Sequence, residues 1–141
     1  MSISETPVAG STVQHLSEAL AQVFRTADVG DVFTDDVFLD GHPPMWRFQL
    51  EGLEAFDSWL QGYAAHRPSV SVVRTMATAT GFLTEQTAVE HVEDRGEITS
   101  RKVLICDVRD GRIAAMSVYC SGDWDSALRD RHAAEAPMIR P

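Results

Sequence analysis

Four runs rich in Val, Ile, Thr, Phe and Tyr follow one another late in the chain: VSVVRTMA (70–77), FLTEQTAVEHV (82–92), ITSRKVLICDV (98–108) and RIAAMSVYC (112–120). Only turn signals separate them, at Ala79-Thr80-Gly81, Asp94-Arg95-Gly96 and Arg109-Asp110-Gly111. Parallel neighbours need a crossover of about a dozen residues, so runs this close together pair as an antiparallel meander. Everything earlier in the chain must then cover one face of that sheet.

The earlier part reads as helices and one strand. Residues 1–10, with Pro7 and Gly10 and no periodicity, read as a loose arm before a single domain over 11–141. Ser11-Thr12-Val13-Gln14 has the form of a capping box, and Val13, Leu16, Leu20, Val23 and Phe24 recur at helical spacing to about Arg25. His15 lies beside that apolar stripe. Thr26 to Asp36 reads as a short second helix or a turn, ended by Thr34-Asp35-Asp36. A strand follows in VFLDGHP (37–43), then an extended segment at Pro43-Pro44. Leu53, Phe56, Trp59, Leu60 and Tyr63 are spaced for one buried face of a third helix. After Gly122, Asp123 can cap a last short helix. The terminal HAAEAPMIRP then reads as an apolar plug, for a cavity or for a neighbouring subunit.

In the strand over 37–43, alternation puts Phe38, Asp40 and His42 on one face and Val37, Leu39 and Gly41 on the other. An acid and a histidine two residues apart suit a polar site in an apolar wall, and they equally suit the capping of the turn into Pro43. Trp46, just past the prolines, is placed to flank a pocket mouth. Over 98–108 both parities carry aliphatics, Leu104 and Cys106 on one and Val103 and Ile105 on the other. Such a sheet expects helices on one face and a second subunit on the other, hence a homodimer. The hairpin at Asp110-Gly111 leaves the next strand's register open. A two-residue turn and a three-residue bulged turn put opposite parities together, so either Tyr119 or Cys120 shares a face with Lys102.

Composition narrows the partners. A net charge of −9 argues against nucleic acid and anionic membranes. No run approaches the roughly 20 apolar residues of a membrane span, and MSISETPVAGS lacks the form of a secretory signal, so a cytoplasmic protein is expected. Cys106 and Cys120 match no zinc or redox spacing and are expected as buried thiols. No metal and no cofactor are expected.

The order helix, short helix, strand with an acid near its end, helix and long meander resembles the nuclear-transport-factor-2-like superfamily. The likeness runs over about residues 11–122 and includes VFTDDVFLDG, the glycine step ATGFLTE and the hairpin CDVRDGRIAAMSVY. It implies an α+β cone, a curved antiparallel sheet wrapped around about three N-terminal helices. The cone encloses an apolar cavity, and a dimer forms through the outer sheet face. Relatives of that shape include ketosteroid isomerases, SnoaL-like cyclases, epoxide hydrolases, dehydratases and non-catalytic binding proteins. Of the three ketosteroid-isomerase roles, the resemblance puts the first-helix tyrosine near Leu16, the base at Asp40 or Gly41 and the late acid near Leu104, so at most one is kept. The epoxide-hydrolase pattern fails at Arg101 and Asp107, which have the wrong spacing. An acid–histidine pair of the SnoaL-like kind can be offered by Asp40 and His42.

Two functions follow as expectations. One is acid/base chemistry of isomerase, cyclase, dehydratase or hydratase type on a small apolar or aromatic molecule. Asp40 is then the base and His42 its partner, His15, Lys102 and Tyr119 are candidate donors, and Trp46, Leu104, Met116, Val118 and Cys120 line the cavity. The other is a ligand-binding or dimeric scaffold protein that does no chemistry.

Overall fold

The computed structural model describes residues 8–140, so most of the expected N-terminal arm lies outside the described residues. Among the described residues the chain forms three α-helices and one mixed, mostly antiparallel six-stranded sheet. The helices are α1 (Gly10–Thr26), α2 (Leu53–Tyr63) and α3 (Ser126–Glu135), with a 3-10 turn at Ala64–His66. The strands are β1 (Phe33–His42), β2 (Phe48–Glu51), β3 (Ser69–Ala77), β4 (Gly81–Val92), β5 (Gly96–Arg109) and β6 (Arg112–Cys120). Their order across the sheet is β2-β1-β6-β5-β4-β3. The expected meander is β3 to β6, paired antiparallel throughout. The expectation of a wholly antiparallel sheet is corrected at β1, which runs parallel to β6 because the whole of α2 and the meander separates them. Two helices rather than three precede the meander.

Helix α1 buries Val13, Leu16, Leu20, Val23 and Phe24, the stripe its spacing predicts. It also buries Ser17, whose hydroxyl lies 2.6 Å from that of Thr75 and 3.1 Å from that of Thr84, tying the helix to β3 and β4. The expected capping box does not form. The helix begins at Gly10, and the carbonyl of Ala9 accepts from the Val13 N–H, so Ser11 to Gln14 already lie inside the first turn. Residues 27–32 are a turn and not a helix. Ala27 adopts a left-handed backbone, and the Asp28 carboxylate accepts from the Gly30 N–H. β1 then starts at Phe33, four residues before the sequence reading, because Phe33 is an anchor: it is buried, packs against Phe56 and pairs with Ile113.

The β5–β6 hairpin resolves the open register. Arg109 pairs with Arg112 across a two-residue turn in which Asp110 and Gly111 both have positive φ, the type I′ geometry that suits an antiparallel ribbon. A bulge follows, since Asp107 pairs with Ala115 and Val108 with Ile113. The extra residue restores equal parity, and Lys102 pairs with Cys120 while Val103 pairs with Tyr119. The core lies between the helices and the face carrying Phe82, Leu104, Cys106, Ile113 and Met116, all buried. At roughly 1.5–3 kcal/mol per fully buried large aliphatic or aromatic side chain, this layer is the main favourable contribution to folding.

Two expectations at the C-terminus are corrected. Asp125, not Asp123, caps α3, its carboxylate accepting from the Leu128 N–H at 2.9 Å. Trp124 is held first by a two-way backbone bridge to Thr99, which delays the helix start. The tail does not plug anything within the chain: Met138 and Ile139 are 69% and 98% exposed.

Candidate functional site

Between α1, α2 and the inner faces of β1, β5 and β6 lies a cavity of about 210 Å³. Its apolar wall is Leu39 and Val118 with the rings of Phe24, Phe48, Trp59 and Tyr63. The rings brace one another, Trp59 stacked on Tyr63 at 5.3 Å between centroids and Phe24 edge-on to Tyr63 at 5.4 Å. Polar groups are few: His42, Lys102, Cys120 and Asp123. Among the described residues, no cluster of three or more His, Cys, Asp or Glu side chains is arranged to hold a metal ion.

Lys102 dominates this wall. β5 alternation turns it inward beside Leu104, and it is 3% exposed. Its Nζ has no hydrogen-bond partner and no carboxylate within salt-bridge distance among the described residues. It lies instead 3.8 Å from the centroid of the Tyr63 ring and 4.7 Å from that of Phe24. Cation–π contact compensates part of the lost hydration, but burial still pulls the ammonium down to about 8, with Cys120 and Asp123 acting in the other direction. Two more unpartnered polar groups gather nearby, the hydroxyl of Tyr63 and both amide atoms of Gln86, the cross-strand neighbour of Lys102. Leaving a buried polar group unsatisfied costs about 1–3 kcal/mol, so such a concentration marks a place built for something other than packing.

Asp40 and His42 share a face as alternation predicts, but it is the outer face of the sheet. Val37, Leu39 and Gly41 turn inward instead. Arg47 grips the Asp40 carboxylate in bidentate fashion, at 2.9 and 3.1 Å, with Gln49 at 3.4 Å. Chiefly through Arg47, Asp40 is held well below the usual carboxylate range despite partial desolvation. A carboxylate so stabilised is a poor proton acceptor near neutrality. His42, at the strand end, reaches both surroundings. It lines the cavity, stacks on Tyr119 at 4.5 Å, and places Nε2 3.1 Å from Asp40 Oδ2, close enough for ion pairing but not aligned as a hydrogen bond.

The other expected site residues divide by location. Lys102, Val118 and Cys120 line the cavity with His42. Leu104 and Met116 are buried core beneath it rather than part of its surface. Tyr119 is on the outer face and half exposed, Trp46 is 73% exposed on its loop, and His15 is on the solvent side of α1, so none of the three contributes to the wall. Sequence reasoning passed over Tyr63, Trp59, Phe24 and Asp123, whose spacing suggested only core or cap. It also underrated Lys102, although the signal was in the composition: Lys102 is the only lysine in the chain, and every other basic side chain of the twelve is arginine.

No family model matches the chain, and no curated protein matches it in sequence. Solved structures do match. A protein of ketosteroid-isomerase-like fold from Catenulispora acidiphila, in complex with trimethylamine, superposes with a TM-score of 0.64 at 14% identity, over 74% of this chain and 83% of that one. A nuclear-transport-factor-2-like protein from Anabaena variabilis gives 0.65 at 18% identity, over 87% and 95%. A provisionally assigned isomerase from Bacillus subtilis gives 0.62 at 16%, over 79% and 87%. The fold is therefore the nuclear-transport-factor-2-like, or ketosteroid-isomerase-like, fold that the sequence resembles. At these identities the likeness is one of fold, and the site must be read from its own residues.

Proposed function

We propose that this protein binds a small, mostly apolar carbonyl compound in the cavity and moves a proton at the carbon beside the carbonyl. The observation that carries this reading is the buried, unpartnered Lys102 in the same wall as His42. Proton abstraction next to a carbonyl needs a donor for the developing oxyanion, a base within reach of the carbon, and little water. Lys102 is the donor. His42 is the base, and Asp40 orients it and balances the imidazolium, so the acid–histidine pair is kept with its roles exchanged. The rings of Phe24, Phe48 and Trp59 exclude water and select an apolar body. That one structure of this fold holds trimethylamine is in keeping with a small ligand.

Incubated with acetophenone or cyclohexanone in D2O, the protein is expected to speed deuterium uptake at the α-carbon, and His42→Ala to lower that rate by about 10². A ketone that ligand-observed NMR shows to be bound, yet exchanges no faster than in buffer, would sink the catalytic reading. The second reading, a binding protein without chemistry, would then stand, favoured by the predominance of Phe, Trp, Leu and Val in the wall.

The assembly is a homodimer through the outer sheet face, where Ile105 and Tyr119 are 41% and 47% exposed beside Val103. Sedimentation equilibrium is expected to give a dimer at micromolar concentration, and Ile105→Arg to shift it to monomer. A wild-type monomer would contradict this.

A further inference from the structure

We infer that Lys102 is a covalent site: its amine forms an imine with the carbonyl group of an aldehyde or ketone held in the cavity. This shares with the reading above the carbonyl ligand and the cavity, but not the proton transfer at the α-carbon.

The geometry favours a nucleophile over a structural cation. A lysine kept for folding would meet a carboxylate. The one carboxylate in the cavity wall is Asp123, whose side chain is 60% exposed and stands 3.9 Å from Arg95. Lys102 Nζ is enclosed beside the rings of Phe24 and Tyr63, where the loss of hydration outweighs the cation–π contact, disfavours the charged form and leaves the amine lone pair available. The titratable groups around it are Tyr63, His42, Cys120 and Asp123, the last at the solvent edge. Arginine stands at every other Lys/Arg position in the chain, and it makes every salt bridge with Asp or Glu among the described residues apart from the His42–Asp40 pair. Arginine binds an oxyanion at least as well as lysine but cannot form an imine, so a lysine here alone points to the amine rather than the charge.

The step balances without an oxidant. The neutral amine adds to the carbonyl carbon, forming the C–N bond. The nitrogen loses both of its protons, and the former carbonyl oxygen takes up two, the first making it a hydroxyl and the second letting it leave as water as C=N replaces C=O. His42, in the same wall, is placed to pass the proton to the departing hydroxyl. Hydrolysis reverses the sequence and returns the amine.

The test is reductive trapping with benzaldehyde and cyanoborohydride on the full chain, followed by peptide mapping. Because Lys102 is the only lysine, the α-amino group is the sole competing amine and serves as an internal reference. At pH 7.5 the peptide carrying Lys102 is expected to gain one benzyl group about 10²-fold faster in the folded protein than in the urea-unfolded chain. That is the order of the gain in neutral amine on burial. Lys102→Arg should keep the fold by circular dichroism, label only at the α-amino group, and lose none of that reference rate. Labelling of Lys102 no faster when folded than when unfolded would overturn the inference. If α-carbon exchange nevertheless occurs in wild type, the proton-transfer reading survives it. If trapping succeeds and exchange is absent, the covalent site stands and that reading fails.

Discussion

Replacing Lys102 by methionine is expected to stabilise the protein at neutral pH, by about 3 kcal/mol, the free-energy equivalent of moving the amine from 10.5 to about 8. The sign follows from proton binding. Below pH 8 both folded and unfolded chains hold the proton, and folding carries the full cost of burying a charge. Between pH 8 and 10.5 the folded chain releases the proton while the unfolded chain keeps it, so wild-type stability rises with pH across that window. Above it both forms are neutral and the cost is gone. Lys102→Met should therefore be more stable than wild type at pH 7, about equal near pH 10.5, and should lack this part of the slope. Urea unfolding of the two proteins at both pH values measures it, and the wild-type-minus-variant difference removes what the two proteins have in common. A variant less stable than wild type at pH 7, or one with the same slope, would show that Lys102 has a compensating partner. Groups that cost stability in this way concentrate at sites of function, where chemistry and not folding requires them.

The sequence disclosed the parts of the fold that depend on local signals and withheld those that depend on pairing. The four meander strands were legible because Gly81, Gly96 and Gly111 punctuate runs too close together for any other topology. The parity of Asp40 and His42 was legible as well. Which parity faces inward was not, because β1 is oriented by its parallel pairing with β6, about 75 residues away, and no local pattern encodes that. The face of Cys120 was hidden for a related reason. The turn at Asp110-Gly111 is readable as two residues, but the bulge after it, at Ala114, has no glycine to announce it. Thr34-Asp35-Asp36 looked like a stop because polar residues end many elements. In the fold the two aspartates are exposed residues of β1, with Phe33 and Val37 buried on either side. The candidate site is the least legible part. Asp40 is an acid where the resemblance puts one, but Arg47, seven residues on and just before β2, reaches back to neutralise it, a pairing that only the fold makes.

Gly81→Ala is expected to have the largest effect of any single methyl added to this chain. A Cβ built at Gly81 would stand 2.0 Å from the carbonyl oxygen of Cys106 and 3.1 Å from the Val108 nitrogen, both backbone atoms that cannot turn aside. The turn before β4 fixes this close approach. Thr78 receives the Gly81 N–H on its hydroxyl, and the Val108 N–H donates to the Thr80 carbonyl. The strands must separate to admit the methyl, and the loss should exceed about 4 kcal/mol, the range reserved for substitutions that break a specific structural device. The consequence reaches the cavity, because Gly81 opposite Asp107 is the first rung of the ladder that sets Gln86 opposite Lys102. A slip of one residue there would turn Lys102 to the outside. Gly62 provides the control: it lies within α2, has ordinary backbone geometry, and a Cβ there meets nothing within 4 Å. Gly62→Ala should therefore gain about 0.5–1 kcal/mol from helix propensity alone. Thermal unfolding of both variants, with benzaldehyde trapping at Lys102 as a readout of register, separates the two effects. A Gly81→Ala protein that melts within a few degrees of wild type and still labels at Lys102 would mean that β4 and β5 are not locked at this rung.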